Sequence, residues 1–460
     1  MKNKYTLLRT LSLAVAILTL PSCKEEASTQ KATAFEDTSH LLGGDTTVNE
    51  TSRKAFTLSA RNLEAEHKSN FFVGNSFFNK NWVQAPASAE ARDGLGPLFI
   101  ARSCSGCHTQ DGRGRPPLEG ENYNSLLFRL AVKKENIVIP HPIYGDQLQT
   151  KSLGSIKEPN MTVRYEVVTG TFQDGTKYSL QKPIYKLSGE LDTLISPRVA
   201  QAVIGLGLLE AIPEDTLREW ADPDDENQDG ISGRINQVHN IKTGKLSIGR
   251  FGWKANQPNI RQQVASAFNG DIGITTSMKP NENHTKKQSQ GLAHFQSGGS
   301  PEVSDKILDA VTLYCQTIAV PAQREYKSKS VRKGRELFNS MNCNACHKQQ
   351  ITTSDHPIRS LTNQTIHPYT DILLHDMGAG LADHSPDHEA SGTEWRTAPL
   401  WGIGLVKTVN KHTRFLHDGR ARNIEEAILW HGGEAKKSQQ KYLNLTKQDR
   451  KSLLDFLNSL

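Results

Sequence analysis

The sequence predicts a mainly α fold in two related halves, with a β-containing insertion in the first half. Three observations support this prediction. The pentapeptide Cys-Ser-Gly-Cys-His at 104–108 has a counterpart, Cys-Asn-Ala-Cys-His, at 343–347. Stretches with helix-like patterns of apolar residues lead into both pentapeptides and close the chain. From about residue 160 apolar and polar side chains alternate as in strands, and we expect the insertion to extend to about residue 250.

The N-terminus has the features of an export signal. Residues 1–22 combine the basic head of Lys2 and Lys4 with an apolar run from Leu11 to Leu20, which is too short for a permanent membrane span. Cys23 follows at once, as in bacterial lipoprotein signals, which this segment resembles and in which the cysteine is lipidated. We therefore expect an exported lipoprotein, anchored by lipid to the outer membrane and facing the periplasm or the cell surface. The alternative is an ordinary cleaved signal.

Composition limits the partners. Residues 23–54 are polar and lack periodicity, so we interpret them as a flexible tether. Removal of the signal lowers the formal net charge below the +6 of the whole chain, and no nucleic-acid partner is expected. The remaining length suggests two to three domains. We expect an N-terminal haem domain at 55–320 that contains the insertion and a C-terminal haem domain at 321–460.

The paired pentapeptides predict two covalent c-type haems. Cysteines three apart suit thioether bonds to one haem, and a histidine directly after them binds its iron from one side. The attachment residues are then Cys104 and Cys107 in the first motif and Cys343 and Cys346 in the second, with His108 and His347 as iron ligands. A zinc site or a disulfide in each motif is the alternative, but zinc needs a second ligand pair at matching spacing. The two halves are thus predicted to be cytochrome c-like haem domains.

Few thiols remain for other chemistry. With Cys23 assigned to lipid and four cysteines to haem, only Cys315 is left. It lies in a helix-like stretch at 307–315, where a buried, inert thiol is expected. No dithiol remains within the chain for thiol-disulfide exchange.

In the first half, helix-like patterns predict a short helix at 95–103 and further helices at 198–210 and 260–268. Alternating patterns predict strands at 162–168 and 178–185 around a turn at Asp174-Gly175. An irregular loop is expected at 270–300. The second half predicts a helix from near Val331 that leads into Cys343, and a final helix from near Lys447 to about Leu457.

An acidic stretch at 222–233 is a candidate calcium loop. Asp225, Asn227 and Asp229 alternate as in loops that wrap oxygen ligands around Ca²⁺, and Ile231 would add its carbonyl. The twelfth position, however, is Asn236 and not a bidentate glutamate. One calcium ion and a plain acidic turn both remain open.

Several segments resemble a known superfamily. The two distant motifs, Arg396-Thr397-Ala398-Pro399-Leu400, and the Phe415–Gly419 segment with its following Glu425-Glu426-Ala427 resemble the bacterial di-haem cytochrome c peroxidase superfamily. Further segments at 94–99, 144–148, 249–255 and 375–378 make the chain most similar to its di-haem oxidoreductase family, often labelled thiol oxidoreductase-like. The resemblance covers most of residues 55–460.

The resemblance implies a division of labour between the haems. One haem with ligands on both faces stores and passes an electron, and the other keeps a face where peroxide binds. In the peroxidases a methionine on the far face of the C-terminal haem follows the histidine of the Phe-x-His-x-Gly segment by fourteen residues. That position is His431 here, with Met377 as the alternative ligand. A histidine there lowers the reduction potential relative to methionine.

The N-terminal haem site is less defined by the resemblance. The peroxidases place a tryptophan between the haems, but no tryptophan occurs between Trp82 and Trp220. Tyr144 or Trp253 could replace it, and the alternative for Trp253 is packing in the hydrophobic core. Gln147 and His141 are candidates for the distal face, and Glu166 is a candidate acid-base residue.

The sequence thus favours a peroxidase-like di-haem oxidoreductase that passes electrons between its haems. Its expected partners are hydrogen peroxide or a small oxidisable substrate, and a small redox protein or quinol-linked electron donor or acceptor. The alternative is a pure electron-transfer di-haem lipoprotein without peroxide turnover, in which both irons hold two protein ligands.

Overall fold

The computed structural model describes residues 38–118, 121, 123–135, 137–154, 156–189, 192–292 and 294–460. The predicted signal peptide, the lipidation site Cys23 and residues 23–37 of the predicted tether lie outside this range. In the rest of the tether segment, Leu42 and Thr46 are buried. Contacts group His40–Leu460 into one unit. No helix of the described residues combines the length and the apolar character that a membrane span requires.

The predicted mainly α, cytochrome c-like fold is wrong. Helical residues of all kinds make up 31 % and strand residues 20 % of the structure, and the described strands form six small sheets. The Cys-x-x-Cys-His motifs lie on single 3-10 turns, Cys104–Gly106 and Cys343–Ala345. Such a turn suffices to bring two thiols and an imidazole together. The motifs therefore predict a local site and not the class of the surrounding fold.

The described residues contain eleven α-helices: α1 (Ala65–Asn79), α2 (Leu206–Glu210), α3 (Glu214–Trp220), α4 (Ile260–Ala267), α5 (Lys286–Leu292), α6 (Asp305–Thr317), α7 (Lys329–Ser340), α8 (Val406–Asn410), α9 (Ile424–Leu429), α10 (Lys436–Leu443) and α11 (Lys447–Ser459). Three of them begin at hydroxyl caps, where the side chains of Ser304, Ser328 and Thr446 accept bonds from backbone amides of the first turn. The predicted helices at 260–268, before Cys343 and at the C-terminus are confirmed.

Thirteen strands occur in the described residues: β1 (Leu98–Phe99), β2 (Leu126–Lys134), β3 (Ile137–Pro140), β4 (Lys151–Ser152), β5 (Met161–Thr171), β6 (Lys177–Leu187), β7 (Thr193–Val199), β8 (Gln237–Asn240), β9 (Lys245–Ile248), β10 (Ile351–Thr352), β11 (Thr365–Ile366), β12 (Leu374–Asp376) and β13 (Glu394–Arg396). The predicted hairpin is confirmed as β5 and β6, which pair antiparallel from Met161 opposite Leu187 to Thr171 opposite Lys177. Its turn contains Gly175 at a φ of 83°, a conformation that favours glycine.

Three local predictions fail for identifiable reasons. The segment at 95–103 contains β1, which pairs with β4, and Pro97 has no backbone N–H with which to continue a helix. The helix predicted at 198–210 is only α2, since β7 runs to Val199 and Gly205 turns the chain at a φ of 68°. The loop predicted at 270–300 contains α5.

One helix pair occurs twice. Helix α1 packs against α6, and α7 packs against α11. In each pair a glycine permits close approach, because a Cβ on Gly74 would clash with the carbonyl of Ala310 and one on Gly334 with the carbonyl of Ser452. The first pair lies beside Cys104 and the second beside Cys343. These pairs position the two motif histidines.

Candidate redox site

Each Cys-x-x-Cys-His motif borders its own cavity. The N-terminal cavity has a volume of about 220 Å³ and is lined by Cys104, Cys107 and His108 together with apolar side chains such as Phe78. The C-terminal cavity has a volume of about 270 Å³ and is lined by Cys343, Cys346 and His347, again among apolar side chains. Both cavities therefore bring two thiols and one imidazole to an apolar space.

The two motif histidines are held in the same way. Nδ1 of His108 lies 2.6 Å from the carbonyl oxygen of Gln201, and Nδ1 of His347 lies 2.8 Å from that of Tyr369. A carbonyl only accepts, so Nδ1 carries the proton and Nε2 keeps its lone pair. Burial lowers the pKa of His108 and lowers that of His347 to about 4. Both imidazoles are thus neutral and oriented, as metal-ligating histidines are.

The thiols are poor candidates for exchange chemistry. Burial raises the pKa of Cys104 and of Cys343 to about 12, so neither forms a reactive thiolate at neutral pH. Cys315 is buried as predicted, and burial raises its pKa well above the usual value. The donor set of each motif, two adjacent thiols and a neutral imidazole on an apolar cavity, fits a thioether-attached haem.

His431, the predicted second ligand of the C-terminal haem, lines the same cavity as His347. Its Nδ1 lies 2.7 Å from the carbonyl oxygen of Ala427 at the end of α9, which again leaves the lone pair on Nε2. Burial lowers its pKa. The structure therefore brings together two imidazoles in the same state, and the assignment of His431 as ligand stays a prediction.

Other candidate ligands on the C-terminal cavity have different surroundings. Met377 lines the cavity and is only partly buried. His417 stacks on Trp395 at a ring-centroid distance of 3.8 Å. His375 is held between Asp371 at 2.9 Å and Glu434 at 2.6 Å. His417 is thus held by ring stacking and His375 by carboxylates on both ring nitrogens, whereas the His431 ring is held through Nδ1 by the Ala427 carbonyl.

The Cys346, Asp371 and His375 side chains form the one group of metal-ligating type found among the described residues. Burial alone would lower the pKa of His375, but the Asp371 carboxylate raises it well above its usual value. A protonated imidazole has no lone pair for a metal ion. We therefore interpret this group as a buried charge cluster beside the second motif.

The N-terminal cavity differs in its lining. Among the described residues around it, His108 is the only histidine and no methionine is present. The predicted distal candidates do not line it, since the His141 ring stacks on Tyr144 and Gln147 lies behind Asp271. The face opposite His108 therefore has no second imidazole or thioether from the described lining.

Charged residues that the sequence did not single out line this cavity instead. They are Arg129, Arg198 and Asp271. Gln147 donates to Oδ1 of Asp271 at 2.8 Å, and burial raises the pKa of that carboxyl group. The signal in the sequence was weak: Arg129 is a cation among apolar residues of β2, a strand that also ends in two lysines. The sequence candidate Glu166 lies on the exposed β5, paired with Arg164, and lines neither cavity.

Five residues line both cavities: Gln201, Ala202, Trp253, Arg396 and Pro399. Trp253 is buried and donates from Nε1 to the carbonyl of Val199 at 2.8 Å. The Gln201 carbonyl accepts from His108, and its side-chain oxygen accepts from Arg396 at 2.6 Å. Burial lowers the pKa of Arg396 to about 10. Of the predicted bridging aromatics, Trp253 lies between the cavities and Tyr144 lines neither.

The candidate calcium loop is a closed turn in the structure. Asp225 accepts from Gly230 N at 3.1 Å, Asn227 accepts from Asp229 N, and Asp229 accepts from Ile231 N, both at 2.8 Å. Lys437 donates to the Asp229 carbonyl. Ile231 also lines the C-terminal cavity. The loop thus adjoins that cavity, and calcium binding by it stays a prediction.

Comparison with known proteins gives one result for nearly the whole described chain. A family model described as "Di-haem oxidoreductase, putative peroxidase" matches residues 37–460. No curated protein sequence matches significantly.

Proposed function

Because the chain belongs to the family of di-haem oxidoreductases, we propose that it is an exported c-type cytochrome that reduces peroxide at its N-terminal haem with electrons from its C-terminal haem. Cys104 and Cys107 would hold the first haem and Cys343 and Cys346 the second, through thioether bonds. Bound haem supplies the iron that stores electrons and at which the O–O bond breaks.

The observation that carries this proposal is the difference between the two cavities. Besides His347, the C-terminal cavity is lined by His431, whose Nδ1 likewise faces a backbone carbonyl and whose Nε2 keeps its lone pair, which suits an iron that only exchanges electrons. The N-terminal cavity offers His108 alone among its described lining residues. An iron held there keeps a face for a small ligand. The pure electron-transfer alternative would need a second ligand at that face.

Asp271 is the residue we propose for proton transfer. Reduction of hydrogen peroxide to two waters consumes two electrons and two protons, and a positioned acid speeds such a step. Asp271 is the one carboxylic acid among the described residues lining the N-terminal cavity. Burial raises its pKa, and the bond from Gln147 to Oδ1 leaves Oδ2 to carry the proton. Arg129 and Arg198 add positive charge to the same wall.

Trp253, Gln201 and Arg396 form the proposed connection between the haems. Trp253 contributes a buried aromatic ring to both cavities. Gln201 bonds to His108 through its carbonyl and to Arg396 through its side chain. A rigid, buried connection of this kind favours electron transfer between the haems and excludes bulk water.

Export, the lipid on Cys23, outer-membrane attachment and the redox partner are proposals that rest on the N-terminal sequence. Physiological electrons would come from a small redox protein or a quinol-linked donor. A calcium ion at Asp225, Asn227 and Asp229 would stabilise the turn that carries Ile231 to the C-terminal cavity.

Electron paramagnetic resonance of the oxidised holoprotein tests the proposal. We expect one low-spin haem with two histidines and one haem that is high-spin or binds cyanide rapidly, together with peroxide consumption when a reductant is supplied. Two low-spin haems that stay inert to cyanide in every redox state would refute the peroxidase function and favour pure electron transfer.

A further inference from the structure

Strand β5 is an edge strand whose outer side is open. It forms a two-stranded sheet with β6, and among the described residues its backbone groups bond to no segment other than β6. Two of its apolar side chains are exposed, Val167 at 69 % and Val168 at 40 %. A long edge strand with exposed apolar residues is a template for pairing with a further strand.

The register with β6 determines which residues of β5 face outward. At the two ends of β5, the Asn160 carbonyl accepts from Ser188 N, and Phe172 N donates to the Thr176 carbonyl. Backbone groups alternate in direction along an antiparallel pair, so the even-numbered residues of β5 turn theirs towards β6. The odd-numbered residues within 163–169 therefore present their N–H and C=O groups at the open edge.

The outer edge of β6, in contrast, is closed. Pro183 stands opposite Tyr165, at an outward position of β6, and has no N–H to offer a further strand. The Ser179 carbonyl accepts from Arg422 at 2.7 Å. Strand β5 contains neither proline nor lysine, the residues with which natural edge strands avoid further pairing. The sheet is thus protected on one side and open on the other.

The body of the protein holds this sheet in place. At its turn, Gln173 N donates to the Leu443 carbonyl at 3.0 Å, and Asp174 accepts from Arg450 at 2.8 Å. Leu180 of β6 is buried. The open edge is therefore ordered before it meets a partner, so that pairing loses little conformational entropy.

The charges of β5 are complementary to those of a second β5. Arg164 and Glu166 are the two charged residues of the strand. They lie on one face, 2.8 Å apart, with 68 % and 45 % of their side chains exposed. In an antiparallel pair of two copies centred on Tyr165, Arg164 stands opposite Glu166 of the partner subunit, and Glu166 opposite the partner's Arg164. Opposite charges at facing positions stabilise a strand pair.

The same charges select one register. The outward backbone groups of two antiparallel copies can bond whenever the pair is centred on a residue. A centre at Arg164 places two guanidinium groups opposite each other, and a centre at Glu166 does the same with two carboxylates; like charges at such positions are destabilising. A centre at Tyr165 avoids both and sets the exposed Val167 opposite Val163 of the partner subunit, a pair of β-branched residues that suits a sheet.

We propose that two copies of this chain associate through β5, antiparallel and centred on Tyr165, to form a symmetric dimer with a continuous four-stranded sheet in the order β6–β5–β5–β6. Such an interface uses the same surface of both subunits, and four strands are more stable than an isolated pair. The pairing does not depend on the proposed function, because Arg164, Tyr165 and Glu166 line neither cavity.

Sedimentation velocity of the full-length holoprotein in mild detergent, over a series of concentrations, tests the association. We expect the wild type to form a species with twice the mass of one chain. Arg164→Glu and Glu166→Arg each place like charges at both facing pairs and should be monomeric. An equimolar mixture of these two variants restores opposite charges at both pairs and should form dimers again, as should the variant that carries both substitutions.

Arg218→Glu is the matched control. Arg218 is an exposed arginine that pairs with Glu214 on α3 at 3.5 Å, so its reversal changes the net charge as Arg164→Glu does, and this variant should stay dimeric. Haem absorption should be the same in all variants. A wild type that is monomeric at every concentration, single reversals that stay dimeric, a mixture that stays monomeric, or a monomeric Arg218→Glu would each overturn the proposal.

Cross-linking tests the register. Tyr165 faces its own copy in a hydrogen-bonded pair, where Cα atoms are about 5.5 Å apart, within the span of a disulfide. Tyr165→Cys should therefore give a cross-linked dimer on a non-reducing gel after oxidation. Val167→Cys is the control, since its two copies would lie roughly 13 Å apart along the strands and should not cross-link. Absence of cross-linking in Tyr165→Cys, or equal cross-linking in both variants, would overturn the pairing centred on Tyr165.

Discussion

The acid-base role of Asp271 gives the most direct functional test. Asp271→Asn keeps the size of the side chain and an oxygen that can accept from Gln147, so the wall of the N-terminal cavity should keep its shape. The variant removes only the transferable proton. Loss of a general acid typically costs about 10²–10⁴-fold in rate, which corresponds to roughly 3–5 kcal/mol of transition-state stabilisation.

The activity of the wild type should fall as the pH rises. Burial raises the pKa of Asp271 above its usual value, so the acid is protonated over a wider pH range than an exposed aspartate. Activity that needs the protonated form is present below that pKa and falls as the pH rises through it. The asparagine variant should lack this limb of the profile.

Stopped-flow measurement of peroxide reaction with reduced holoprotein checks both expectations. Glu166→Gln is the control, because this carboxylate is exposed on β5 and lines neither cavity. Haem content and cyanide binding should be equal in both variants and the wild type. If Asp271→Asn reduces peroxide at the wild-type rate with an unchanged pH profile, Asp271 is not the acid.

Three further substitutions test the haem ligand His431, the connection between the haems and a buried ion pair. His431→Met should raise the potential of the C-terminal haem by part of the roughly 0.8 V range that axial ligands span, and a spectroelectrochemical titration without any shift would exclude His431 as a ligand. Trp253→Phe should slow reoxidation of the C-terminal haem after peroxide addition, followed by stopped-flow absorbance, whereas Trp82→Phe, also buried but outside both cavity linings, should not; equal rates in all three proteins contradict a role of Trp253 in electron transfer. Lys254→Met leaves the buried Asp383 carboxylate, 3.1 Å from the Lys254 ammonium, without its cation, so denaturant unfolding should show a loss of about 3–5 kcal/mol. Lys451→Met removes an exposed pair and should cost less than about 1 kcal/mol; similar losses in both would contradict the argument from burial.

The sequence predicts which motif residues lie together better than it predicts the architecture. Cys104, Cys107 and His108 are adjacent in the chain, so their joint position is a local property and could be predicted. The proposed connection between the haems is not a local feature, because its residues Gln201, Trp253 and Arg396 come from distant segments and meet only in the folded chain. Asp271 was missed for the same reason. It follows α4 on a π-helical turn, and no spacing rule connects it to the first motif.

The predicted fold class is wrong because much of the chain between the helices forms strands. The helices beside the motifs are present, yet the long connections between them pair as short antiparallel ladders, such as β12 with β13 beside the C-terminal cavity. Segments of two to four residues carry too little periodicity to be detected. The hairpin of β5 and β6 was predicted because each strand is eleven residues long and its turn contains Asp174-Gly175.

The repeated helix pairs explain how one arrangement can serve two tasks. Glycine, phenylalanine and histidine recur in equivalent places, so each pair holds its imidazole against a ring at the same distance. The two pairs differ in the groups around that frame. His431, two residues after the end of α9, lines the second cavity and suits the proposed iron with two histidine ligands, while Asp271 lines the wall of the first cavity. A frame that fixes the imidazole permits such changes, because the residues that set reactivity are not those that hold the helices together.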